Sequence, residues 1–447
     1  MPPLPLKKND IIEIDIDDLG YDGEGIAHLG SFAVFIRYAL PKERVRALVI
    51  AVKSTFAVAK LLTVLTPSSE RVEPFCPVYY KCGGCSLQHA SYKFQLEFKR
   101  RAIADTFYKA AKLEVIPNNV TASPLTRVYR NKMSLPVRGE QPSLGFFAVN
   151  SHRVVPIDEC PIQFEGNGEL ITAFREYLIK NGISGYNETT HSGIVKHLSV
   201  RKLGDFITVT AVLNGRNVKT VAGFEAELKK LYGDKYKYYA NFNKTDGNRI
   251  LGSESLFIGG SECLVEIEGL RVDVHPQSFF QVNDGIREQL YREILNEVDT
   301  PCVVDAYSGA GLLSALLSRE GHDVTAVEIE PKAVESAHKM FEVNGINSVK
   351  TYLGDCAELM PEVTANKSDF TLILDPPRAG CDKSVLHAAA ASNPKKIVYV
   401  SCNPATLARD ARELLTLGYE IIRLSPFDMF PHSANVETLC VFSRAKQ

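Results

Sequence analysis

The sequence predicts a doubly wound α/β domain over residues 279–447, behind an N-terminal β-barrel and a small α+β segment. Three observations carry that prediction. Short apolar runs alternate with helical stretches after residue 279, the pattern of a mostly parallel sheet with helices on its faces. A glycine-rich loop joins the first of those runs to a helix, where such sheets place their ligands. Several β-rich runs also crowd into residues 1–67, a length that fits a small barrel.

At 447 residues the chain exceeds one compact core, so two or three domains are expected. The segment from Met1 to Ile11 has no apolar centre of the kind a signal peptide needs. No apolar run approaches the roughly 18 residues of a membrane-spanning helix, and a cytoplasmic location is expected. A net charge of -2 argues against a protein that simply coats nucleic acid. Residues 71–140 nevertheless hold 12 Lys or Arg against 5 Asp or Glu. Such a local surplus suits a selective RNA enzyme, because attraction to phosphate is local. A solvated basic face fits the charge equally well.

The barrel begins at Ile11-Ile12-Glu13-Ile14-Asp15-Ile16-Asp17, whose period of two reads as a half-buried strand. A turn at Tyr21-Asp22-Gly23-Glu24-Gly25 follows, then β-rich runs at Phe32–Ile36, Arg44–Val52 and Ala57–Val64. About five short strands predict an OB-like fold, a common platform for RNA, with Thr66-Pro67-Ser68-Ser69 as the linker out of it. Residues 68–278 show one clear helical stretch, Tyr92 to Leu113, and β-like runs such as Phe206–Leu213 among loops.

In the α/β region, strands are expected at Cys302–Tyr307, Val324–Ile329, Val349–Leu353, Phe370–Leu374 and Ile397–Ser401, with helices at Gly311–Arg319, Pro331–Asn344 and Ala405–Leu417. Asp305-Ala306-Tyr307-Ser308-Gly309-Ala310-Gly311 leaves the first strand. Gly309 and Gly311 let a ligand approach the backbone. The third glycine of the dinucleotide fingerprint is missing, which argues against NAD. Glu328 ends the second strand, placed for ribose hydroxyls, and Asp355 follows the third, where an adenine amino group is within reach. Glycine loop, acid and second acid together form the arrangement of a class I S-adenosylmethionine site.

Three further motifs bear on chemistry: Asp375-Pro376-Pro377-Arg378, Ser401-Cys402-Asn403-Pro404 and Asn435-Val436-Glu437-Thr438-Leu439. The first alone fits methyltransferases of many kinds, including those acting on amines, which need no nucleophile. Carbon 5 of uracil is inert until a group adds at carbon 6, and a thiolate does this best. Cys402 is the expected nucleophile, and Glu437 the base that removes the carbon 5 proton. Cytosine-directed RNA enzymes usually carry a second cysteine directly after the proline, where this chain has Arg378.

On these motifs the chain resembles the bacterial RNA uracil-5-methyltransferase family, over almost its whole length. Phe279-Phe280-Gln281-Val282-Asn283 and Tyr129-Arg130-Asn131-Lys132 match family signatures. The resemblance implies contacts of Gln281, Tyr307, Glu328 and Asp375 with cofactor or base, Cys402 as nucleophile, Glu437 as base and a TRAM-type barrel. Ser308 replaces a frequent cysteine, and Asn435 stands where a histidine often precedes the glutamate motif. The resemblance also favours 23S ribosomal RNA over tRNA as substrate; neither a membrane nor an obligate protein partner is called for. A binding protein that keeps only the fold is the alternative, disfavoured by Cys402 and Glu437. The target uridine must leave its stack, and Phe279 or Phe280 is expected to stack on it.

Ten cysteines without an export signal are expected as thiols, ligands or catalytic groups, not as disulfides. Cys76, Cys82, Cys85 and the distant Cys160 supply four thiolates, with Gly83-Gly84 allowing a tight turn. Spacing leaves zinc and iron–sulfur open. The resemblance implies a [4Fe–4S] cluster. Beside it, Lys93, Lys99, Arg100 and Arg101 interleaved with Phe94 and Phe98 are expected to offer RNA contacts, or to be ordinary helix surface and core.

Overall fold

The computed structural model describes residues 5–261 and 264–445; Met1 to Leu4, Glu262, Cys263 and the last two residues lie outside them. Three large sheets and a two-stranded one, Val265–Ile267 with Leu270–Val272, organise the described chain. The first has six strands in the order Ile11–Asp15, Arg44–Val52, Phe56–Thr66, Phe32–Arg37, Gly25–Leu29 and Asp18–Leu19. Alternate residues such as Ile14, Val34, Ile36, Val45 and Val49 meet in its core, as the period of two requires. The strand Gly25–Leu29 was not legible in the sequence, where His28 interrupts its apolar run.

The barrel is tied down by a buried ion pair at its exit. Both oxygens of Glu43 accept from Arg71, at 2.5 and 2.7 Å, and the backbone N–H groups of Leu40 and Ser68 donate to the same carboxylate.

Helix Tyr92–Ala111 follows, capped by Ser91, whose hydroxyl accepts from the Phe94 N–H at 3.2 Å. Its buried face packs on both neighbours: Phe98 meets Leu19, Leu40 and Leu87 on the barrel side, while Ile103 and Phe107 join the core of the α/β domain. Of the residues expected either to contact RNA or to be helix surface and core, Phe98 and Lys99 are core, whereas Lys93 and Arg101 are exposed. Phe98 is buried, and Lys99 is fully enclosed in an ion pair with Asp428 and donates to the Phe430 carbonyl at 3.0 Å. Arg100 donates to the Pro117 carbonyl and Arg101 to Asp18 of the barrel. Removing one partner of a buried pair strands the other charge in low dielectric. Lys99→Met should therefore cost about 3–5 kcal/mol in urea unfolding, and a cost under 1 kcal/mol would contradict this reading.

The central sheet runs in the order Glu254–Gly260, Tyr236–Phe242, Phe206–Leu213, Val195–Leu203, Lys132–Arg138, Ser143–Phe147 and Val154–Pro156. Only Phe206–Leu213 was legible beforehand. Its parallel neighbour Tyr236–Phe242 is reached through the short helices Lys219–Ala222 and Glu225–Tyr232.

The third sheet orders Val349–Leu353, Asp323–Glu328, Cys302–Ala306, Phe370–Leu374, Lys396–Ser401, Glu437–Arg444 and Tyr419–Phe427; the first five pair in parallel, and Glu437–Arg444 runs antiparallel to both of its neighbours. Alternate residues serve opposite layers. Val304, Leu372, Ile397 and Tyr399 face one core, while Val303, Ile373, Val398 and Val400 face the other, with helix Asp284–Glu297. Burial on both faces is why these strands read as unbroken apolar runs. No helix of the described residues is long and apolar enough to cross a membrane.

Candidate active site

The strand order places the cofactor-type loops side by side at the carboxyl ends of three adjacent parallel strands. Tyr307 adopts φ 66°, Gly309 φ 57° and Gly311 φ 78°. Gly311 is both left-handed and confined, since an added Cβ would meet the Phe341 ring at 2.8 Å. The Gly309 N–H donates to Glu328 at 2.8 Å, and the Glu330 N–H to the other oxygen at 2.8 Å. The Glu328 carboxylate is thus fixed beside the glycine loop. Asp355 caps helix Cys356–Thr364, one oxygen accepting from the Ala357 N–H at 2.8 Å, which leaves its second oxygen for a ligand. Beneath the loop, Asp305 is buried and accepts from Ser314 at 2.5 Å; burial pushes its carboxyl up to about 7.

Two strands further along lies the reactive end. Asp375 follows Phe370–Leu374, and Cys402 follows Lys396–Ser401. Arg378 lies close enough to Cys402 for its charge to hold the thiol down. Arg378 is itself oriented through its carbonyl, which accepts from Asn403 at 3.1 Å and Thr406 at 3.3 Å. Glu437 opens an antiparallel strand, with Ser401 opposite Thr438. That inversion delivers the start of one strand to the edge where the parallel strands finish, and so brings Glu437 to Cys402.

Electrostatics bind the group together. Glu437 is buried, and burial followed by the Asp375 charge holds its carboxyl well above the usual range, with Arg378 opposing. Burial pushes the Asp375 carboxyl up to about 7, helped by Asp305. Burial also raises the Cys402 thiol, as does Glu437, while Arg378 lowers it. Shifted acids around one thiol are a pattern of functional sites.

The two family-like motifs outside this sheet meet each other. The Asn131 amide donates to the Gln281 carbonyl at 2.9 Å and to Asp284 at 2.8 Å, and its N–H donates to the Val282 carbonyl at 2.8 Å. Gln281 is buried there. Of the two expected stacking residues, Phe280 is enclosed with Arg201 over its ring at 5.2 Å, so it has no free face. Phe279 is 67% exposed and keeps that possibility.

Sequence reasoning missed two thiols. Cys356 and Cys381, which looked scattered, both lie beside Tyr307, where after burial they help raise its phenol. The Cys381 N–H donates to Asp410 at 2.8 Å, as does the Tyr399 hydroxyl at 2.6 Å. No local pattern announces this network, because its members come from four separate elements.

Cys76, Cys82, Cys85 and Cys160 line one cavity of about 490 Å³ with Arg130, Lys132 and Phe279. All four are free thiols. Burial raises Cys85 to about 12 and Cys160 to about 11, and each is raised further by the charge of other members of the set. Among the described residues, no three His, Cys, Asp or Glu side chains are gathered closely enough to hold a metal ion.

Comparison with known proteins matches residues 265–445 to the tRNA (uracil-5-)-methyltransferase family and residues 5–62 to the TRAM domain. An uncharacterized RNA methyltransferase of Clostridium acetobutylicum is 36% identical, over 99% of this chain and 98% of its own length. One of Clostridium tetani is 37% identical, over 98% of each chain. The crystal structure of the tRNA (uracil-54, C5)-methyltransferase of Pyrococcus abyssi, in complex with S-adenosyl-L-homocysteine, superposes with a TM-score of 0.78 at 26% identity. It covers 96% of this chain and 100% of its own. Barrel, sheet order and these full-length likenesses agree: the chain belongs to the RNA methyltransferases of the uracil-5 family, enzymes that use S-adenosylmethionine.

Proposed function

We propose that the chain methylates carbon 5 of a uridine in 23S ribosomal RNA, with Cys402 as nucleophile and Glu437 as base. The observation that carries the chemistry is the meeting of Cys402, Arg378, Asp375 and Glu437 at one sheet edge. Arg378 stabilises the thiolate, which bonds to carbon 6 as the ring's double-bond electrons move to carbon 5 and its carbonyl. S-adenosylmethionine, which Gly309, Gly311, Tyr307, Glu328 and Asp355 would hold with Gln281 and Asp375 contacting cofactor or base, would supply the methyl group from its sulfonium and leave as S-adenosylhomocysteine. Carbon 5 takes that methyl. Glu437 then accepts the carbon 5 proton, the double bond re-forms and the thiolate leaves. Once Cys402 is bonded to carbon its negative charge is gone, so repulsion against a Glu437 carboxylate falls at the moment the base is needed.

Cys76, Cys82, Cys85 and Cys160 match an iron–sulfur group in donor type and number and line one cavity, but among the described residues no three of them stand close enough together to ligate a metal as placed. Methyl transfer involves no net redox change, so a [4Fe–4S] cluster would fasten the loop that carries them and pass no electrons to the substrate. Protein purified without air should be brown with about four irons per chain, and a Cys85→Ser variant should lose both; colourless protein at full activity would contradict this.

A second reading, tRNA as substrate, is favoured by the Pyrococcus abyssi neighbour, which is a tRNA enzyme. The test is tritium release from carbon-5-labelled uridine in defined 23S and tRNA fragments. Release from ribosomal RNA supports the proposal, release from tRNA alone replaces the substrate, and release from neither contradicts the chemistry.

A further inference from the structure

The segment 428–436 joins strand Tyr419–Phe427 to strand Glu437–Arg444, and Phe427 pairs with Glu437 across its base. It is therefore a hairpin loop with the proposed base at its closing pair. His432 sits at its midpoint, buried, in a left-handed conformation at φ 67° that a non-glycine residue adopts only when its surroundings hold it there.

Those surroundings are unusually complete. The His432 carbonyl accepts from the N–H groups of Ser86 and Leu87, both at 2.9 Å, directly after Cys85. The Ala434 N–H donates to the Ser86 hydroxyl at 3.2 Å. The His432 N–H donates to the Gln95 side chain at 2.9 Å. Its ring Nε2 lies 2.9 Å from the Thr126 carbonyl, which assigns the proton to Nε2, and Nδ1 then accepts from the Gln95 amide at 3.3 Å. Phe75, next to Cys76, packs edge-on against the same ring at 4.9 Å.

We infer that His432 is a positioning residue for the base: it locks the tip of this hairpin onto the cysteine-bearing loop and so holds Glu437 against Cys402. The inference rests on the assignment of Glu437 as base. Distortion of the cysteine loop is then felt at proton removal and not at cofactor binding, because the contacts of Glu328 and Asp355 lie at the other end of the sheet.

The test is single-turnover reaction of full-length protein with a substrate RNA fragment and radiolabelled S-adenosylmethionine, following methyl entry into RNA and the covalent protein–RNA adduct separately. His432→Ala should leave methyl entry within about twofold while slowing adduct release at least about tenfold. His432→Gln, whose amide nitrogen reaches where Nε2 lies, should restore most of that rate. If His432→Ala fails to fold, Ser86→Ala, which removes only the hydroxyl contact to Ala434, should slow release by about fivefold. Equal slowing of every step, or normal release in these variants, overturns the inference. Glu437→Gln in the same assay separates the two readings. If it accumulates adduct while the His432 and Ser86 variants do not, positioning alone fails; if it accumulates none, the base assignment fails and the inference goes with it.

Discussion

A Cys402→Ala variant is expected to lose methyl transfer by on the order of 10⁴-fold or more while still binding S-adenosylmethionine normally. The magnitude follows from the chemistry. Without a bond at carbon 6, carbon 5 of uracil has no electron density to offer, and among the described residues no other thiol stands at that strand end. The selectivity follows from the fold. Cys402 is three strands from Glu328 in the sheet, roughly 14 Å at about 4.8 Å per strand, so its truncation does not reach the ribose-binding end. Equilibrium dialysis against labelled cofactor, beside a methyl-transfer assay, checks both halves. Residual activity within about tenfold of wild type would remove the nucleophile from Cys402.

Glu437→Gln should do something qualitatively different. Addition and methyl transfer precede proton removal, so the variant should run to the methylated adduct and stop, with covalent protein–RNA complex visible on a denaturing gel. Turnover should fall by about 10²–10⁴-fold. The raised carboxyl also sets a pH dependence. Cys402 and Glu437 must both act as anions, and burial holds both above their ordinary values. Activity should therefore climb with pH through neutrality, where an ordinary carboxylate would already be ionised. An acid limb centred near pH 4–5 would show that Glu437 is not the group being titrated.

The α/β domain was legible because its parallel strands are buried on both faces; every residue of Phe370–Leu374 is buried, and the run reads as strand at sight. The central sheet was not, because strand Val195–Leu203 carries Lys196, His197, Arg201 and Lys202. The polar ends of two are absorbed internally, Lys196 by the Thr245 carbonyl and Arg201 by those of Ser278 and Phe280, so polarity along the strand disguised its burial. The same masking misplaced Lys99, a basic residue in a basic stretch whose partner Asp428 lies 329 positions away. Residues of the candidate site were legible where one position implies one chemistry, as with Cys402 and Glu437. Supporting residues were not. Arg378, Cys381 and His432 act through contacts between distant elements, which leave no local period in the chain.

The claim on which everything else depends is a bond between Cys402 sulfur and carbon 6 of a uridine. Fluorine at carbon 5 has no proton for Glu437 to remove, so substrate RNA carrying 5-fluorouridine should stall the wild-type protein after methyl transfer. Mass spectrometry of the digested complex should then find one fluorinated, methylated nucleotide on the peptide that contains Cys402. An unmodified Cys402 peptide, or an adduct on another of the cysteines, would contradict the account.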